Sequence, residues 1–125
     1  MMLEYRLFFE PVCTSYQNSG QTSNRVHSQK QRLRFKQEVF PQMQRWPRIK
    51  QFPLCFDFTF FYVKEYTVMN YAIMADWIID CMAFLGILQD INPKIIAEIT
   101  IRVQEVKSHN KTGALIKISK YEKIS

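Results

Sequence analysis

Two histidines and three cysteines are all that the 125 residues hold of the nitrogen and thiolate ligands of a structural zinc site. Cys13, Cys55 and Cys81 are odd in number and far apart, and no C-x-x-C pair exists. His27 and His109 stand at no metal-ligand spacing to any of them. A disulfide framework and a structural zinc site are therefore not expected, and reduced, mostly buried thiols in a cytosol are. A secretory signal is lacking as well. Glu4 and Arg6 interrupt the apolar run from Met1 to Phe9, and no cleavage site follows. Residues 68–88 are apolar enough to suggest a membrane span, yet Asp76 and Asp80 lie near the centre. Each would cost about 2.5–3.5 kcal/mol at the middle of a bilayer. An amphipathic helix followed by a turn explains the segment better, so a cytoplasmic chain with no membrane partner is expected. Internal repeats and low-complexity tracts are absent too.

What is present is a globular composition, 47% hydrophobic and 22% charged, at the length of one domain spanning residues 1–125. A chain this short buries roughly two-thirds of the surface of its unfolded form. Ten Phe and six Tyr supply material for an interface as well as a core. The net charge of +6 is concentrated in one region. Residues 25–50 carry Arg25, Lys30, Arg32, Arg34, Lys36, Arg45, Arg48 and Lys50 against the single acid Glu38, a local excess of +7 that leaves −1 for the rest. Such segregation is the footprint of a phosphate-binding face, where lysine and arginine displace counterions with little sequence preference. The competing reading is a solvated helix face that maintains solubility.

The order of elements is legible in the periodicity. Residues 3–10 alternate as a strand with Leu3, Tyr5, Leu7 and Phe9 inward, ended by Pro11. Residues 12–27 are polar, contain Ser19-Gly20, and read as a loop. Ser28 is a plausible N-cap for a helix over 29–40 with Leu33, Val39 and Phe40 inward and Pro41 as breaker. Residues 54–63 form the clearest strand, apolar on both faces and hence predicted to be central and covered on both sides. Residues 70–85 read as a helix with Ile73, Trp77, Cys81 and Phe84 inward and Gly86 as its stop. A strand over 95–106 aligns Ile95, Ala97, Ile99, Ile101 and Val103, and the turn 108–113 leads to a strand over 114–120, a closing hairpin. The expectation is an α+β domain, β-α-β-α-β-β, with a mixed sheet of about four strands packed on two main helices.

The most specific block is Asp80 … Gly86-Ile87-Leu88-Gln89-Asp90-Ile91-Asn92-Pro93, preceded ten residues upstream by Asn70. A helix carrying a carboxylate, a glycine stop and an acidic turn in this frame resembles the core of the RusA-type Holliday-junction resolvases. These are small dimeric, metal-dependent DNA endonucleases with an acidic D-x-D-N before the helix, an Asp within it, and a G-(V/I)-(L/W)-x-D-D after it. Pro11-Val12 at the end of the first strand, Ser19-Gly20, the basic helix, the long aromatic strand and the closing hairpin extend the likeness over nearly the whole chain. The resemblance implies a RusA-like fold, a homodimer, branched DNA as partner in recombination and repair, and magnesium as cofactor.

The departures from the family pattern are systematic. Thr67 and Met69 stand where the acids before Asn70 belong, Ile91 stands where the second acid of the later pair belongs, and Asp76 falls near the usual lysine. Ser15, Tyr16, Gln17 and Asn18 replace basic residues usual in the loop. Magnesium takes hard oxygen ligands, mostly carboxylates and waters, to polarise a phosphate and activate water. Of that acid set Asp90 remains as a metal ligand. A shifted site built from Asp76, Asp80, Glu65 and Asp90 is conceivable, since Asp76 and Asp80 share a helix face. Turn, cap and solvated-charge roles are the simpler account of the same residues. The expected catalytic candidates are Asp90, Asp80 and Asp76. The expected nucleic-acid contacts are Arg25, Lys30, Arg32, Arg34, Lys36, Arg45, Trp46, Arg48 and Asn70, with Trp46 as the best base-stacking residue. Tyr16, Tyr62, Tyr66 and Tyr71 suit core or rim packing better, and His27 suits a loop better than a general base.

Three functions follow: a branched-DNA-binding protein of this type with cleavage weak or absent, a non-catalytic dimeric descendant that binds DNA or protein, and an unrelated RNA-binding module. The last lacks the basic-aromatic signature of an RNA-recognition motif.

Overall fold

A computed structural model describes residues 2–12 and 22–122. It contains β1 (Met2–Phe8), α1 (Thr22–Met43), β2 (Leu54–Tyr62), α2 (Val68–Phe84), β3 (Ile96–Glu105) and β4 (Gly113–Lys120). This is the expected α+β order, with a four-stranded mixed sheet and two helices. The strands lie in the order β1-β4-β2-β3, with β2 parallel to β3 and antiparallel to β4, and β4 antiparallel to β1.

Period-2 alternation in β2 and β4 builds one face of a core, and the helices close it. Leu54, Phe56, Phe58 and Phe60 of β2 and Ala114, Ile116 and Ile118 of β4 are buried against Phe35, Val39 and Met43 of α1 and Met74, Trp77, Ile78 and Met82 of α2. The rings of Phe56, Phe58 and Phe60 stack in sequence at 6.0 and 5.7 Å, as same-face neighbours on a strand should. No described helix covers the second face of β2: Cys55, Asp57, Thr59 and Phe61 are only partly buried. The apolar residue there is sheltered differently. The Arg6 guanidinium lies over the rings of Phe8 (4.3 Å) and Phe61 (4.6 Å).

The closing hairpin does not form. β4 enters between β1 and β2, and β3 is left on the outer side of β2. Composition explains the exchange. β4 supplies three fully buried apolar residues, which suits an inner strand, whereas β3 carries Glu98, Arg102, Gln104 and Glu105, which suit an edge. The expected inward row on β3 is correspondingly thin: Ile95 is buried and Ile101 partly so, but Ala97, Ile99 and Val103 are exposed.

α1 is longer than the helix expected over 29–40. It begins within the segment expected to be loop, so Ser28 lies inside it and not at its cap, and residues 13–21 lie outside the described ones. Pro41 falls in its last turn, where the helix is about to end anyway. Phe35, Val39 and Met43, four residues apart, form its buried stripe, while Leu33 points outward. α2 runs from Val68, with Thr67 at the N-cap position, and stops before Gly86, whose φ of +77° confirms the glycine stop. Phe84 is exposed and stacks on Phe40 of α1 at 5.6 Å. β1 ends at Phe8, and the Gln42 side chain of α1 accepts from Phe8 N–H (2.8 Å) and donates to its carbonyl (2.7 Å). No described helix is long and apolar enough to cross a membrane.

Candidate nucleic-acid interface

The basic stretch becomes the exposed part of α1 and the segment that follows it. Lys30, Arg32 and Arg34 are exposed on α1, Lys36 is partly buried, and Arg45, Arg48 and Lys50 are exposed beyond the helix. Arg25 and His27 lie on α1 with side chains outside the described ones. A rise of 100° per residue sets Lys30 and Arg34 on one stripe and Arg32 and Lys36 on the opposite one. The second stripe faces α2. There Arg32 Nη2 donates to Asp80 Oδ2 at 3.0 Å. Among the described residues, this is the one ion pair within 4 Å made by the basic set of residues 29–50.

The acids are spread along α2. Asp76 and Asp80 share the α1-facing side. Burial, and next the charge of Asp80, raise the Asp76 carboxyl above its ordinary range, and Arg32 opposes the shift. Cys81, beside them in the core, has its thiol pushed up to about 11 by burial, so it is an inert packing residue. Asp90 sits past the glycine stop. Its Oδ1 accepts from Ile91 N–H (2.7 Å) and its Oδ2 from Asn92 Nδ2 (3.0 Å), which is turn-forming chemistry.

Thr67 and Met69 are exposed at the start of α2, and Ile91 is exposed beyond its end. Seventeen helical residues rise about 25 Å, so these positions lie at opposite ends of α2 in one chain. Among the described residues, no three His, Cys, Asp or Glu side chains converge as a metal-holding group.

Two expected contact residues take structural positions. Asn70 is 5% exposed, and its Nδ2 donates to Val12 O at 2.8 Å, pinning α2 to the chain leaving β1. Trp46 is half-buried and stacks on Tyr5, with ring centroids 4.1 Å apart and planes 14° apart. Tyr71 packs among Phe60, Tyr62 and Tyr66, and burial pushes its phenol up to about 12.

A feature that sequence reasoning did not single out lies at the end of β1. A groove of about 560 Å³ is lined by Glu10, Pro11, Val12, Gln31, Arg34, Glu38 and Tyr66. Burial raises the Glu38 carboxyl, Arg34 pulls it down, and Glu10 pushes it up. Glu10 also meets His109 Nδ1 at 2.8 Å, across 99 residues of sequence. No local spacing links these three residues, so only the strand order reveals the cluster. No protein-family model matches this chain, and no curated protein does.

Proposed function

We propose that this chain is a branched-DNA-binding protein of the RusA type, acting as a dimer, whose cleavage chemistry is weak or absent. The observation that carries the reading is the exposed cationic surface running from Lys30 and Arg34 on α1 to Arg45, Arg48 and Lys50. Long, exposed cations on one helix and the segment after it are suited to phosphates along a duplex. Support for weak chemistry comes from the residues themselves. Thr67, Met69 and Ile91 offer no carboxylate, and both oxygens of Asp90 already serve the turn. Magnesium would find Asp90 as its one candidate carboxylate there, with water for the rest, too little charge to lower the pKa of a bound water.

The test is a binding and cleavage assay on a four-way junction and on matched duplex, with magnesium or manganese. Binding that falls steeply with salt and prefers the junction supports the reading. Replacing Lys30, Arg34 and Arg48 together by alanine should weaken binding and flatten its salt dependence by about three phosphates. Unchanged affinity and salt slope would return the basic residues to a solubility role.

A further inference from the structure

The sheet has two outer strands, and they are treated differently. At the β1 edge, Gln42 takes up the Phe8 N–H and carbonyl. At the β3 edge nothing comparable exists among the described residues. β3 runs ten residues with no proline and no lysine, the devices that commonly blunt an edge. Ile99 is 46% and Val103 39% exposed along it. The Val106 amide donates to Tyr62 O at 2.8 Å, which directs the main-chain groups of the even-numbered residues from Glu98 toward β2. The N–H and C=O groups of Ile99, Ile101 and Val103, and the C=O of Ala97, which stands at a register shift of the ladder, therefore point outward. Among the described residues none bonds to them.

We propose that this edge pairs antiparallel with the same edge of a second copy of the chain, about a two-fold axis at Thr100. The occupant and the register both follow from charge. Centring on Thr100 sets Glu98 opposite Arg102 of the second copy, and Arg102 opposite its Glu98. Centring on residue 98 or 102 would face like charges, and centring on 99 or 101 would leave both without an opposite charge. In the Thr100 register, Ile99 faces Ile101 and Ala97 faces Val103, each pair occurring twice. These are the hydrogen-bonded pairs, giving about six main-chain bonds across the seam. Glu98 and Arg102 then fall at the closer, non-hydrogen-bonded positions, where opposite side chains interact best. Arg102 is already held on this face. Its Nη1 donates to both oxygens of Asp57 (2.6 and 2.7 Å), and a guanidinium has further donors in its fork for a second carboxylate.

A two-fold axis normal to the sheet makes one eight-stranded sheet with all four helices on the same face. It also brings the segment after α2 of one copy to the end of the seam where α2 of the other copy begins. The inference deepens the dimer named above and rests on that part of the proposed function.

The experiment is oxidative cross-linking of Thr100→Cys, with the unsubstituted protein and Gln104→Cys as controls, beside sedimentation of Glu98→Arg. A self-facing non-hydrogen-bonded pair has Cα atoms about 4.5 Å apart, within disulfide range. The Thr100→Cys chain should form a covalent dimer faster than either control. Glu98→Arg, folded by circular dichroism, should dimerise about tenfold or more weakly because two arginines then face each other twice. Failure of the position-100 cross-link, or a Glu98→Arg dimer of unchanged strength, overturns this pairing. Either result leaves DNA binding untouched, just as loss of junction binding with the cross-link intact would overturn the function and not the seam.

Discussion

Arg32 and Asp80 meet at 3.0 Å across the α1–α2 contact, so a cation of the basic helix is held by a carboxylate that sequence reasoning placed among the catalytic candidates. Both side chains are partly solvated, 45% and 31% exposed, so the pair is worth at most about 1 kcal/mol to the fold. Its larger consequence is for phosphate binding. Asp80→Asn should release Arg32, strengthen duplex and junction binding several-fold, and raise the salt slope by about one phosphate. Titration of the variant across salt concentrations checks it, and unchanged binding would show that Arg32 does not reach DNA.

Asp76→Asn should stabilise the protein at neutral pH. The Asp76 carboxyl is raised in the folded state by burial and by Asp80. A raised carboxyl favours the folded state while protonated, and that contribution is lost as pH climbs from the ordinary value of 3.8 through the folded one. The variant should therefore melt higher than the parent at pH 7 and match it at about pH 3, below both values. Equal melting at both pH values would remove Asp76 as a strained group.

Gly113→Ala should be severely destabilising. Its φ is +137°, and a Cβ there would stand 2.0 Å from Leu7 O and 2.7 Å from Arg6 Nη1. Neither can yield easily, because β1 pairs with β4 at this point and Arg6 is fixed over Phe8 and Phe61. A loss of more than about 2 kcal/mol in denaturant titration is expected. Gly86→Ala, where the φ of +77° is strained but nothing lies within 4 Å, should lose only about 1–2 kcal/mol.

Restoring aspartate at Thr67, Met69 and Ile91 should introduce magnesium-dependent nicking of junction DNA. All three positions are exposed, so the carboxylates cost little folding energy. Because α2 separates 67 and 69 from 91 in one chain, the activity should depend on the dimer and vanish when Glu98→Arg is added. Nicking that survives in a monomer would show that the acids act within a single chain.

Most of the architecture was written in local patterns. Alternation in β2, the four-residue spacing of α2 and the glycine at 86 each depend on neighbours in sequence, and each appears where expected. The failures were non-local. Ala114, Ile116 and Ile118 say that β4 is buried, but not that it sits between β1 and β2. Leu33 and Phe84 looked like core because helical periodicity fixes a face only to within a turn, and tertiary packing chose Phe35 and Met82 instead. Asn70 and Trp46 were legible as polar and aromatic residues near charge. Their pairing with Val12 and Tyr5 needed the strand order. The Glu10–Glu38–His109 cluster was invisible for the same reason.

The place of β4 has a consequence for synthesis. β1 and β2 are not paired with each other; the strand that joins them, β4, comes after both in the chain. At about 5–20 residues per second, β1 waits roughly 5–20 s for its neighbour to emerge. Until residue 120 has left the ribosome, the apolar row of β1 has no ladder to join, and β2 has only β3. A chain stopped near residue 112 would hold both helices, β2 and β3, but would lack the strand that binds β1. Such a product should be a chaperone client and a protease substrate and not a shortened version of the fold. The same wiring ties folding rate to contacts far apart in sequence, which favours slow, all-or-none acquisition of the structure.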